Sequence, residues 1–356
     1  MKLVALIMAG GGGKRLWPLS TPDRPKQFLA LWGGKSMLRM TFERILPLIP
    51  KEDVFVVTQR RYASQTLDHL PELPEGNIIV EPSGKNTAPC IALGASRIAS
   101  LEPDAVMVVL PADHAIKNGE EFLRAIVAGC HVAEMELMSG RLPLITFGIK
   151  PLGATSGYGY IRCGDIFAVA GGFLARIVTN FIEKPDPCLA QAFFDEGSWF
   201  WNSGIFVWRV SSILREFMDS VPAWRVHIER MLSQGGCGSS VEEFYQAAEP
   251  APIDKLILER STNVLAIPVS FGWSDVGSWE ALDGFLRRNI DENITIGKAA
   301  MIDCSGCLAV SHKGFVGVIG MKDVVVVSSG DAVLVIDKKR SQEVETISGW
   351  IEKKTI

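Results

Sequence analysis

Apolar and polar positions alternate in blocks along the first 150 residues. Short, nearly continuous apolar runs at Leu3–Ala9, Val54–Thr58, Asn77–Val80, Val106–Leu110 and Leu144–Gly148 read as buried strands. Between them, Ser36–Leu48, Ala63–Leu70, Thr87–Leu101 and Glu120–Glu136 repeat their apolar residues at helical spacing. A β–α–β–α order of this kind predicts an α/β protein with a mostly parallel sheet covered by helices. Ligands of such sheets sit beyond the carboxyl ends of the strands, so the segments that leave those ends are the first places to look for chemistry.

Residues 151–290 are more mixed. Strands are expected around Tyr158–Cys163, Ala175–Glu183, Gly204–Trp208 and Val264–Val269, with helices near Cys188–Glu196, Ser211–Asp219, Trp224–Ser233 and Ile253–Ser261. This section reads as a substrate-side lobe continuing the same sheet. After about Asn293 the texture changes to short β-rich runs, Leu308–Ser311, Phe315–Ile319, Val324–Val327 and Ala332–Ile336, separated by Gly, Asp and Lys turns. The organisation expected is one α/β domain over 1–290 and a small all-β domain over 291–356, built like a few coils of a β-helix.

Composition narrows the function classes. The 356 residues are 47% hydrophobic, enough for a sizeable core, and carry a net charge of −4. That charge argues against bulk electrostatic binding to nucleic acid or an anionic membrane, so any phosphate binding must be local. The opening apolar run is too short to span a bilayer and lacks the flanks of a signal peptide, which predicts a cytoplasmic protein. Seven scattered cysteines make no disulfide framework. The lone C-x-x-C at Cys304 and Cys307 has only His312 nearby, so two partly buried thiols at a turn are expected there rather than a metal site.

The first strand empties into Gly10-Gly11-Gly12-Gly13-Lys14-Arg15, and Pro25-Lys26-Gln27-Phe28 follows ten residues later. Glycines let backbone N–H groups turn toward an anion with no Cβ in the way, and Lys14, Arg15 and Lys26 supply charge for a polyphosphate. Neither common phosphate loop fits. A P-loop ending at Gly13-Lys14 needs Gly where Met8 stands and Ser or Thr where Arg15 stands. A dinucleotide fingerprint starting at Gly10 also fails at Arg15, which makes a dehydrogenase the weakest reading.

Other segments leave strands with suggestive chemistry. Asp113 ends an apolar strand in Pro111-Ala112-Asp113-His114, and Asp275 lies in the turn-rich Phe271–Trp279. Singly, each aspartate also reads as a turn former or cap; together they suit Mg²⁺ on a triphosphate, which takes one or two carboxylates and fills its other positions with phosphate and water. Glu183 and Lys184, fixed by Pro185, pair an acceptor for sugar hydroxyls with a cation for phosphate. As strand neighbours they point to opposite faces and need not meet. Asn202 offers an amide suited to vicinal hydroxyls. Gly157-Tyr158-Gly159-Tyr160 offers backbone for close approach of a ring. Glu81 opens a third loop with Lys85, Asn86 and Thr87, which also reads as a helix N-terminus capped by Asn86 or Thr87.

The ordered set AGGGGKRLWPLS, PKQFL, EPSGKNTAP, LPADH, GYGYI, FIEKP, NSGIF and FGWSDVGSW resembles the mannose-1-phosphate guanylyltransferases of the sugar-nucleotidyltransferase superfamily over residues 1–290. The tail around Val324–Val327 and Asp331–Val335 is similar to that family's small β-helical domain. The resemblance implies the nucleotide-diphospho-sugar transferase fold, a Rossmann-like, mixed, mostly parallel sheet flanked by helices. It implies GTP and mannose 1-phosphate as partners and Mg²⁺ as cofactor. Arg15, Lys26, Asp113 and Asp275 would be catalytic, with the two aspartates holding the metal. Gly10, Gly11, Gly12, Gly13 and Lys14 would wrap the triphosphate, with Thr87 in the nucleotide site. Gly159, Glu183 and Asn202 would position mannose, and Lys184 its phosphate.

The base contacts are a chemical reading of the residues rather than a family assignment. Glu81 with Asn86 would accept from guanine's N–H donors, and Lys85 would meet O6. Because longer members continue into a phosphomannose isomerase domain, that second activity is expected to be absent here. A homodimer through the C-terminal domain is also expected. The alternatives are another sugar-1-phosphate nucleotidyltransferase, using glucose 1-phosphate or dTTP, and a non-catalytic sugar-nucleotide sensor.

Overall fold

The computed structural model describes residues 2–354, with side chains as far as residue 351. The chain forms two compact units. The first comprises Met1–Gly10, Thr41–Ala112 and Ile116–Trp273; the second comprises Gly11–Met40, Asp113–Ala115 and Ser274–Ile356. The linear division at residue 290 therefore differs from the spatial one. The glycine loop, the Lys26 segment and Asp113 belong with the C-terminal strands.

The first unit is built on a nine-stranded sheet among the described residues. Its order is Ile78–Glu81, Val54–Gln59, Leu3–Met8, Val106–Pro111, Trp199–Arg209, Leu144–Ile149, Val264–Val269, Phe173–Ile182, Tyr160–Ala170. The first four strands run parallel to one another, as do Leu144–Ile149 and Val264–Val269. Trp199–Arg209 is antiparallel to both Val106–Pro111 and Leu144–Ile149, making the sheet mixed. Register pairs Met8 with Val57 and Pro111, and Gln59 with Glu81, so the chain leaves four adjacent strands at one edge. The parallel strands are mostly apolar because helices cover them; Val106–Leu110 are all 3% exposed or less.

Several elements extend beyond the sequence reading. Tyr160–Ala170 and Phe173–Ile182 form one long hairpin. Gly171 and Gly172 take φ of 57° and 85°, the left-handed pair that a two-residue hairpin turn requires. Trp199–Arg209 begins five residues before the apolar run suggested, and so places Asn202 inside a strand. The helix expected at Ile253–Ser261 is a π-helical segment, Asp254–Leu258.

The second unit stacks short strands in parallel: Ile294–Ile296 on Leu308–Ser311 on Val324–Ser329, and Ala299–Ile302 on Val316–Ile319. Partners 14 to 17 residues apart in register give the successive coils of a β-helix-like domain, closed by an antiparallel hairpin to Ala332–Asp337. Its core draws on distant sequence: Leu16, Leu19, Leu29, Leu31 and Met37 pack with Trp279, Leu308, Val325, Leu334 and Val344. Cys304 is half-buried and Cys307 buried, both as free thiols. No described helix is long and apolar enough to cross a membrane.

Candidate active site

In the second unit, a cavity of about 410 Å³ is lined by Gly12, Gly13, Lys14, Arg15, Lys26, Asp113 and Asp275, with Glu345 at its wall. After the glycines comes one 3-10 turn, Lys14–Leu16, rather than a long helix, so the cradle relies on side-chain charge more than on a helix dipole. Gly13 holds φ 61°, and a Cβ there would collide with Lys26. The loop can lie against Lys26 only because that residue is glycine. Ser20 Oγ pins the loop by donating to the Gly12 carbonyl at 3.0 Å.

Lys26 is the hub. Its side chain is 7% exposed; Nζ lies 2.7 Å from Asp113 Oδ2 and also donates to the Asp275 carbonyl. Burial pushes the Asp113 carboxyl up, but the Lys26 ammonium and His114 outweigh it and hold Asp113 below the usual carboxylate range. Asp275 sits on a tight turn. Val276 takes φ 47°, an uncommon conformation for a β-branched residue, and Gly277 N donates to Asp275 Oδ1 at 3.1 Å. No cluster of three or more His, Cys, Asp or Glu able to hold a metal occurs among the described residues. Two aspartates on one cavity nonetheless fit Mg²⁺, a hard cation that takes few carboxylates and completes its shell with phosphate and water. Arg15 is already engaged: Nη1 donates to Gln342 Oε1 at 2.7 Å, a partner 327 positions away that local pattern could not reveal.

The first unit carries two further clusters. At the sheet edge Glu81, 3% exposed, accepts from Tyr245 Oη at 2.6 Å. Burial, only partly offset by that hydrogen bond, pushes its pKa up to about 7. Gly10 lies beside it; a Cβ there would stand 3.4 Å from Glu81 Oε2. The loop after Glu81 is used structurally. Asn86 Oδ1 caps the Thr87–Leu101 helix through Thr87 N at 2.8 Å, and Thr87 Oγ1 accepts from Ile253 N at 2.8 Å. Lys85 Nζ donates to the Ala248 carbonyl at 2.7 Å.

The second cluster gathers Gly159, Glu183 and Asn202. A Cβ on Gly159 would come 2.5 Å from Glu183 Oε2 and 3.4 Å from Asn202 Cβ, so the missing side chain leaves room for the carboxylate. Lys184 does meet Glu183. The strand has ended at Ile182, and φ 51° at Lys184 turns its ammonium back to Glu183 Oε1, against the expectation that strand neighbours point apart. Asp254 joins them, receiving Asn202 Nδ2 at 2.7 Å. Sequence reasoning missed Asp254, Tyr245, Gln342 and Glu345. Only Asp254 left a signal, a lone carboxylate in the apolar Pro252–Leu258 run.

A helix-covered mixed sheet with a cationic glycine loop defines a nucleotide-handling α/β enzyme. The chain matches the family model "Nucleotidyl transferase" over residues 4–287 and the "MannoseP isomerase/GMP-like beta-helix domain" over 297–348. It belongs to the nucleotidyl transferase family, and within that family to the group of the mannose-1-phosphate guanylyltransferases. It is 36% identical to the mannose-1-phosphate guanylyltransferase of Salmonella montevideo over 97% of this chain and 73% of that one. The Escherichia coli protein of the same name gives the same identity and the same shares. A crystal structure from Thermus thermophilus, described as a mannose-1-phosphate geranyltransferase, superposes with a TM-score of 0.88 at 32% identity, covering 99% of this chain and 100% of that one.

Proposed function

We propose that the protein transfers GMP from GTP to α-D-mannose 1-phosphate, forming GDP-mannose and pyrophosphate. The observation that carries this is the single cavity on which Lys14, Arg15 and Lys26 converge with Asp113 and Asp275. Three cations and two metal-binding carboxylates suit a triphosphate at which charge moves. The names of the relatives support guanine and mannose as the groups joined.

The sugar phosphate is itself an anionic nucleophile, so the obstacle is anion approaching anion at the α-phosphorus, and no protein nucleophile is needed. The Gly10–Gly13 backbone and Lys14 hold the triphosphate, while Arg15 and Lys26 stabilise charge on the transferred and leaving phosphates. Asp113 and Asp275 would hold Mg²⁺, which when bound supplies further charge stabilisation at the phosphate oxygens. Glu81 accepts from guanine N1–H and N2–H₂, and Lys85 donates to O6 with N–H bonds not spent on Ala248. Asn86 and Thr87 shape that loop. Gly159, Glu183 and Asn202 position mannose, and Lys184 meets its phosphate. Positioning can offset roughly 7–11 kcal/mol of such a barrier.

We also place the reaction in the cytoplasm, which agrees with seven free thiols. We assign dimer formation to the second unit. Its hairpin strand turns Val333 and Val335 outward, 60% and 63% exposed, while Leu334 between them is buried. The test is pyrophosphate release by purified protein with Mg²⁺, crossing four nucleoside triphosphates with mannose and glucose 1-phosphates. Turnover is expected with GTP and mannose 1-phosphate. Preference for dTTP or glucose 1-phosphate would replace the substrate assignment, and binding of GDP-mannose without turnover would make the protein a sensor.

A further inference from the structure

Asn202 is spent within the protein. Thr146, fully buried, donates from Oγ1 to Asn202 Oδ1 at 2.7 Å, and Gly204 N approaches the same oxygen at 3.4 Å. These donors fix the orientation of the amide, which then donates from Nδ2 to Asp254 Oδ1 at 2.7 Å. With its carbonyl satisfied by the strands and one N–H given to Asp254, Asn202 has a single donor left for a ligand. The better acceptor at this place is the carboxylate that it holds. No other described side chain donates to Asp254.

The segment bearing Asp254 is built to present it. Asp254–Leu258 is a π-helical turn, a local distortion that recurs at functional positions. Just past it, Glu259 Oε1 accepts the Glu183 backbone N–H at 2.6 Å. Residues 254–259 therefore grip the cluster at two places, the strand residue Asn202 and the turn residue Glu183. Burial first, and then the nearby Glu183 charge, raise the Asp254 pKa to about 7. Glu183, buried, is already paired with Lys184. Half-buried Asp254 has the Asn202 amide as its side-chain donor among the described residues, and the hydroxyls of a sugar are further donors of the right kind.

We propose that Asp254 accepts a hydrogen bond directly from a hydroxyl of the sugar, beside Glu183, and that Asn202 and Thr146 are the positioning residues that aim it. This rests on the sugar-phosphate reading above. It moves recognition of the hydroxyl from the amide to a carboxylate on a different element. Asp254→Asn keeps the shape and an oxygen for Asn202 Nδ2 but removes the charge.

The test is steady-state kinetics of Asp254→Asn with mannose 1-phosphate and with its monodeoxy analogues. The expected result is a ten- to hundredfold rise in KM for mannose 1-phosphate, with KM for GTP within twofold and no loss of melting temperature. The wild-type enzyme should discriminate against one deoxy analogue, and that discrimination should shrink to near unity in the variant. Thr146→Val provides a second arm, with a smaller rise in the same KM alone. An Asp254→Asn enzyme that keeps the wild-type sugar KM and deoxy discrimination overturns the proposal. So does equal worsening of both KM values together with a lowered melting temperature, which marks a structural role. Should Asp254→Asn not fold, an unchanged sugar KM in Thr146→Val overturns it. Wild-type protein inactive with mannose 1-phosphate removes the substrate reading instead, a distinct outcome.

Discussion

Lys26 Nζ sits 2.7 Å from Asp113 Oδ2, and the same ammonium donates to the main-chain carbonyl of Asp275. One cation thus ties together the two segments that bring carboxylates to the cavity. Lys26 is nearly buried, so its charge is worth more than at the surface, and removing either member leaves the other uncompensated. Asp113→Asn is expected to stay folded and lose most turnover. Lys26→Met should lower kcat by about 10²–10³, the scale of losing one preorganised electrostatic contact. Pyrophosphate release and a thermal melt check both. Near-normal release by Asp113→Asn removes Asp113 from the metal site.

Glu81 leads to a pH prediction. Burial favours its neutral form, raising the pKa from 4.5 to about 7, and the neighbours it faces are Tyr245 and Cys90, both buried and themselves raised. If the ionised carboxylate accepts from guanine, KM for GTP should climb as pH falls below about 7, approaching tenfold per unit. Glu81→Gln should show a higher KM with that slope abolished. The stability sign is the reverse of a salt-bridged acid. The folded state binds more protons than the unfolded between 4.5 and about 7, so stability falls as pH rises through that window. Glu81→Gln should therefore melt higher than wild type at pH 8, by an amount on the order of 3 kcal/mol at most, and match it near pH 4.5. A flat KM profile in the wild type argues against ionised Glu81 as the base contact.

The division between what the sequence shows and what only the fold shows follows the range of the interactions. Strand and helix periods are local, so Val106–Pro111 and Thr87–Leu101 emerge within a residue of their expected ends. The glycine loop, Lys26, Asp113 and Asp275 are legible as chemistry because each leaves an apolar run abruptly. Three features are not legible. Asp254 lies in a run whose helical period hides a π turn. Lys184 turns back on Glu183 through a positive φ that no residue type there announces. The grouping of Gly11–Met40 with the C-terminal strands depends on contacts some 300 residues apart, which no window along the chain contains.

That grouping gives the last prediction. Leu16 directly follows the cationic loop and Leu29 follows the Lys26 segment, and both are buried in one core with Leu308, Val325 and Leu334 of the β-helix-like coils. Arg15 is held from the same side by Gln342. The coils therefore back the phosphate loop, in addition to any role as an interface between copies. Leu308→Ala removes a side chain that is 0% exposed and should cost about 2–5 kcal/mol, as buried Leu-to-Ala changes do. The loop rests on the cavity so created, so KM for GTP should rise severalfold well below the melting temperature, while KM for the sugar phosphate stays near wild type. Gln342→Ala, which releases Arg15 without touching the core, should leave stability within about 0.5 kcal/mol, as for a surface change. It should shift only the GTP term. A melting scan with GTP titrations at 25 °C separates the two effects. A destabilised Leu308→Ala enzyme with unchanged KM for GTP would show that the coils stabilise the unit without shaping its phosphate loop.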